Sequence, residues 1–88
     1  MAEQGAATIR YFGAARAAAG TAQEQIAVSD APTIALLLET AVERHGPPLA
    51  KVLPRCSYLL DAVAVHDTAA ASVSDGQILD ILPPFAGG

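Results

Sequence analysis

The segment TIALLLETAVERHGPP, residues 33–48, restricts the fold more than any other stretch of this chain. Ile34, Leu37, Leu38, Ala41 and Val42 recur at i, i+3, i+4, i+7 and i+8, which draws one apolar stripe down a helix, while Glu39, Glu43 and Arg44 face water. Thr33 is placed to cap the first turn, although Leu36 occupies the position where a complete capping box carries Glu or Gln. Gly46, Pro47 and Pro48 end the helix. A helix with one apolar stripe has to lay that stripe on a partner layer, and the short elements around it make that partner a sheet.

Residues 7–12 (ATIRYF) gather β-branched and aromatic side chains and stop at Gly13, the pattern of a strand. Tyr11 and Phe12 then point to opposite faces, one into the core and one outward. Residues 14–19 (AARAAA) make one or two helical turns closed by Gly20. Residues 24–28 carry Ile26 and Val28 on one face, a second strand in a hairpin with the first. After the main helix, a link containing Leu49, Val52 and Leu53 leads to a strand at 56–60, a tight turn at Asp61-Ala62 and a partner strand at 63–65. Asp75-Gly76 turns the chain into a last strand at 77–82, where Leu79 and Ile81 face the core and Ile78 and Leu82 lie outside, beside the tail. Strand, strand, helix and three short strands describe an α+β domain. The expected organisation is a flexible leader at 1–6, one domain at 7–82 and an extended tail at 83–88.

Size and charge narrow the function. Eighty-eight residues make one small domain, and of its 52% hydrophobic residues twenty are alanines, so the core is modest and leaves little volume for a deep substrate cavity. A self-contained enzyme is disfavoured. Five basic residues against nine acidic ones, scattered along the chain, give a net charge of −4 and no basic footprint for nucleic acid. No apolar run is long enough to span a bilayer and the first residues lack a targeting pattern, which points to a cytoplasmic protein without a membrane partner. The single Cys56 cannot form an internal disulfide. Cys56, His45 and His66 lack ligand-like spacing, so no metal site is expected. His45 suits the end of the helix, where positive charge is favourable.

Chemistry concentrates at the end of the sequence. The last strand runs into Pro83-Pro84-Phe85-Ala86-Gly87-Gly88. Two prolines cannot donate to a ladder, and their fixed φ favours an extended stem. Six extended residues reach at most about 20 Å, far enough to enter a neighbour's active site. Gly87 and Gly88 add no side chain that would obstruct a narrow channel or crowd a terminal carbonyl carbon. An outward apolar pair beside such an arm, Ile78 and Leu82, suggests a docking face.

Three segments carry a family resemblance: IRYFGAARAAAG at 9–20, PTIALLLE at 32–39 and SDGQILDILPPFAGG at 74–88. Through them the sequence resembles the small, sulfur-carrying subunits of molybdopterin synthase, ubiquitin-like proteins of β-grasp fold. The resemblance implies a mixed sheet of about five strands packed on one main helix. It also implies that the Gly88 carboxylate is adenylated by a ubiquitin-activating-like adenylyltransferase using ATP, with no cofactor bound to the carrier itself. An acyl-adenylate has the good leaving group that a carboxylate lacks, so sulfur from a sulfurtransferase can be taken up as a thiocarboxylate. That sulfur then passes to a pterin precursor inside the large catalytic subunit, with residues 83–87 filling the partner's channel. The tail contains no acid, base or nucleophile, so catalytic groups belong to the partners. Arg16 matches a recurrent Arg of the family's first motif and joins Phe12, Ile78 and Leu82 as expected partner contacts. Two positions depart from the family: the hairpin turn is Asp61-Ala62 rather than Asn-Gly, and Phe85 stands where Val is common. Carriers for cysteine or thiamine synthesis, and modifiers joined to lysines through Gly88, remain alternatives with the same tail chemistry.

Overall fold

The computed structural model describes residues 5–84. Five strands, β1 (Ala6–Tyr11), β2 (Gln23–Ala27), β3 (Ser57–Leu60), β4 (Val63–Ala64) and β5 (Ile78–Leu82), form one sheet in the order β2-β1-β5-β3-β4. Only the central pair β1–β5 is parallel, so the sheet is mixed. Three helices accompany it: α1 (Gly13–Ala19), α2 (Ile34–His45) and α3 (Pro47–Val52), the last followed by a 3-10 turn at Leu53–Arg55.

The alternation of each strand decides what is buried. Ala7, Ile9 and Tyr11 of β1 and Leu79 and Ile81 of β5 point inward, where they meet Ile34, Leu37 and Ala41 of α2. Each large aliphatic side chain so buried is worth about 1.5–3 kcal/mol. Leu38 and Val42, the flank of the apolar stripe, are half-buried. Thr33 accepts a hydrogen bond from the Leu36 amide, and the Ile34 and Ala35 amides donate to the carbonyls of Ala71 and Thr68. The loop before β5 thus satisfies the free donors of the first turn of α2.

Two expectations are corrected. The prolines after α2 do not lead into a mere link but start α3, because residues of a first helical turn need no intrahelical N–H bond and proline's φ already suits that position. Gly46, at φ 84° and ψ −167°, redirects the chain between the two helices, a conformation that a side chain would oppose. The leader also ends earlier than expected. The Ala6 amide donates to Asp75 Oδ1 at 2.9 Å and the Gly5 carbonyl accepts from the Val28 amide at 3.0 Å, so Ala6 opens β1 and Gly5 is tied down beside it.

Tyr11 is the inward member of the aromatic pair and Phe12 the outward one, 38% exposed. Asp61 and Ala62 form a two-residue turn in which both have positive φ, 48° and 69°, and Leu60 pairs with Val63 across it.

Candidate functional site

The root of the tail is built by the middle of the sheet. β5 is bonded to β1 on one side and β3 on the other, and the Phe12 amide still donates to the Ile81 carbonyl at 3.0 Å, one residue before the strand ends. Pro83 and Pro84 follow, both exposed. Neither can donate a ladder hydrogen bond, so pairing stops there. Pro83 lies over the start of α1: a Cβ on Gly13 would come within 3.0 Å of Pro83 Cγ, and Gly13 has φ +56°. Glycine is needed there twice over, for the backbone turn and for the close passage of the stem.

Beside this stem runs a groove of about 520 Å³ between α1 and the segment from α3 to Cys56. Phe12, Ala15, Val52 and Cys56 line it, and Pro83 and Pro84 form one of its walls. Lys51 and Arg55, one helical turn apart and both exposed, line it as well. Outside the groove, Arg10 and Asp80 face each other across β1 and β5 in a two-pronged ion pair, Nε–Oδ1 2.6 Å and Nη2–Oδ2 2.9 Å. The Arg10 guanidinium also stands 5.9 Å from the centre of the Phe12 ring.

The expected contact residues are thereby divided. Phe12 and Leu82 lie at the tail end of the sheet with Pro83 and Pro84. Ile78 does not. It shares the outer face of β5 with Leu82 but sits at the opposite end of the strand, where its amide donates to Asp61 Oδ1 and its carbonyl accepts from the Asp61 amide, each at 2.9 Å. A strand advances about 3.3 Å per residue, and the whole of β5 separates Ile78 from the tail. Arg16 is exposed on α1 and lines a separate shallow depression with Ala17 and Thr21 rather than the groove. Phe85, Ala86, Gly87 and Gly88 lie outside the described residues.

Cys56 donates to the Val52 carbonyl at 3.4 Å, and burial pushes its thiol pKa up. That is the opposite of the thiolate stabilisation a relay cysteine needs. Among the described residues no group of three His, Cys, Asp or Glu could hold a metal ion. No helix among them is long and apolar enough to cross a membrane.

One polar cluster was invisible in the sequence. Glu24 on β2 receives hydrogen bonds from the Tyr11 hydroxyl and Arg44 Nη1, and His45 Nε2 lies 2.6 Å from its Oε2. The His45 and Tyr11 rings meet edge to face at 5.9 Å. Arg44, expected to face only water, also donates to the Gln25 carbonyl. Burial alone would raise the Glu24 pKa, but the bonds from Tyr11, His45 and Arg44 outweigh it and hold the carboxyl below its ordinary range. Burial, and then the bond to Glu24, push the Tyr11 phenol well above its own. The cluster ties the edge strand to the end of α2 and lies away from the groove-lining residues.

A mixed five-stranded sheet gripping one main helix, with its last strand central and opening into a proline stem, is the β-grasp of ubiquitin-like proteins. The chain belongs to the ThiS family, which it matches over residues 9–88. Solved structures that share the fold include the following three. The Haloferax volcanii HVO 2177 protein is 24% identical with a TM-score of 0.78, over 100% of this chain and 92% of its own. Small archaeal modifier protein 1 from Methanosarcina acetivorans is 17% identical with a TM-score of 0.77, over 99% of this chain and 100% of its own. The match in the complex of subunits 1 and 2 of the molybdopterin-converting factor from Helicobacter pylori is 22% identical with a TM-score of 0.66, over 94% of this chain and 99% of its own. No curated protein matches the sequence.

Proposed function

We propose that this protein is the sulfur-carrying small subunit of a molybdopterin synthase, working in the cytoplasm. Its Gly88 carboxylate attacks the α-phosphate of ATP within an adenylating partner, releasing pyrophosphate; the outer sulfur of a sulfurtransferase persulfide then displaces AMP, and a thiol cleaves the resulting acyl disulfide to leave a thiocarboxylate, the thiol and the sulfurtransferase sulfur departing as a disulfide. The large catalytic subunit receives the tail and transfers its sulfur to a pterin precursor.

The observation that carries this reading is the root of the tail. A central strand, held on both edges, passes directly into an exposed Pro-Pro stem that can join neither ladder. Such a root offers the following residues to a partner without loosening the domain. The ending PPFAGG and the likeness to the Helicobacter pylori protein, seen in complex with a second subunit, favour a synthase over the other sulfur pathways.

Incubation with the adenylating enzyme, ATP and a sulfur source should raise the intact mass by one oxygen-to-sulfur exchange, mapped to Gly88. Removing Gly88 draws the reactive carboxyl back by about 3.5 Å and should abolish uptake. Sulfur found on Cys56, or uptake by the variant without Gly88, would overturn the assignment. Conjugates to protein lysines in place of a thiocarboxylate would make it a modifier.

A further inference from the structure

The five cations of this chain are not equivalent. Arg10 and Arg44 are spent on Asp80 and Glu24. Lys51 and Arg55 have no ion-pair partner among the described residues, and both border the groove whose wall is the tail's own stem. The groove presents apolar surface from Ala14 and Val52 next to Pro84, with the Lys51 ammonium and the Arg55 guanidinium beside it. Phe85 to Gly88 follow Pro84, and on the function proposed above they offer the same two chemistries: an aromatic ring at once, in Phe85, and the carboxylate of Gly88. Fully extended, four residues span roughly 14 Å, enough to return along a groove that starts at their own root.

We propose that the tail docks back on its own domain, with the Phe85 ring in the apolar part of the groove and the Gly88 carboxylate against Lys51 and Arg55. This rests on the reading of Gly88 as the reactive terminal carboxyl. Docking in cis shelters that group from water and stray nucleophiles while the carrier is between enzymes. A partner can take the tail only when it is released, so the apparent affinity for the tail falls by the released fraction. The groove is a sheath, and partners compete with it.

Nuclear Overhauser contacts in the full, unmodified chain test this without any sulfur chemistry. The Phe85 ring protons should contact the methyl groups of Val52 and Ala14, at intensities that do not change on tenfold dilution. In the double variant Lys51→Glu/Arg55→Glu, with the domain's own contacts intact, those intensities should fall at least by half. Absence of Phe85 contacts to the groove would overturn the proposal. So would contacts that arise only between differently labelled copies, which would make the occupant a second molecule, or contacts indifferent to the charge reversal. A chain that docks its tail but accepts no sulfur would sink the functional assignment instead, and one that accepts sulfur with an empty groove would sink only this one.

Discussion

Glu24 gives this domain a contribution to stability that depends on pH. Its carboxyl is held below the ordinary range, so it contributes stability above the unfolded-state value of about 4.3, and that contribution is lost as pH falls through the lower, folded value. Glu24→Gln removes charge-assisted bonds with Tyr11 and Arg44 and should cost about 1–3 kcal/mol at neutral pH. Denaturant titrations from pH 7 to pH 3 should show the two proteins converging as pH drops, and a constant gap would rule the carboxylate out. Tyr11 acts with the opposite sign. Its phenol is raised, so stability falls above about pH 10, where the unfolded chain ionises and the folded one does not. On the outer side, Phe12 is an exposed ring at the tail root, whereas Ile78 is a strand length away. Phe12→Asp should therefore weaken binding to a large synthase subunit at least tenfold, in line with the roughly 1.5–3 kcal/mol that a large apolar side chain gains on burial. Ile78→Asp should do far less, and a calorimetric titration in which Ile78→Asp is the worse variant would move the interface to the far end of the sheet.

Among the elements, the turn between β3 and β4 is strained and compensated. Ala62 sits at φ 69°, where a residue with a Cβ loses about 1–2 kcal/mol. Asp61, also at positive φ, is fixed because its carboxylate accepts from the Ile78 amide and the Gln77 side chain. Ala62→Gly should relieve the first strain and, after the added chain entropy, stabilise by about 0.5–1 kcal/mol in thermal unfolding. A loss of stability would show that Ala62 is not strained. The turn was legible in the sequence as two residues between two apolar runs, and so were α2 and the five strands, because periods of 3.6 and 2 are written locally. The helix α3 was not. Pro47-Pro48 reads equally as the end of one helix or the first turn of the next, and what decides is the burial of Leu49, a tertiary fact.

At the scale of the whole molecule, the stem was readable because Pro83 and Pro84 follow the last strand directly in sequence, whereas the groove beside it was not, since Phe12, Val52 and Pro83 meet only after β1 and β5 pair. That same pairing has a mechanical consequence. β1 and β5 run parallel, so tension between the start of β1 and the end of β5 drags the two strands past each other and loads bonds such as Thr8 N to Gln77 O and Phe12 N to Ile81 O together. β3 is antiparallel to β5 and begins opposite Leu82, so tension between Pro54 and the tail would peel that ladder one bond at a time. Single-molecule pulling should find a clearly higher rupture force in the first geometry than in the second, and equal forces would show that the β1–β5 ladder does not carry the load. A partner can then tug hard on the tail, as a tight channel must, while the domain behind it stays whole.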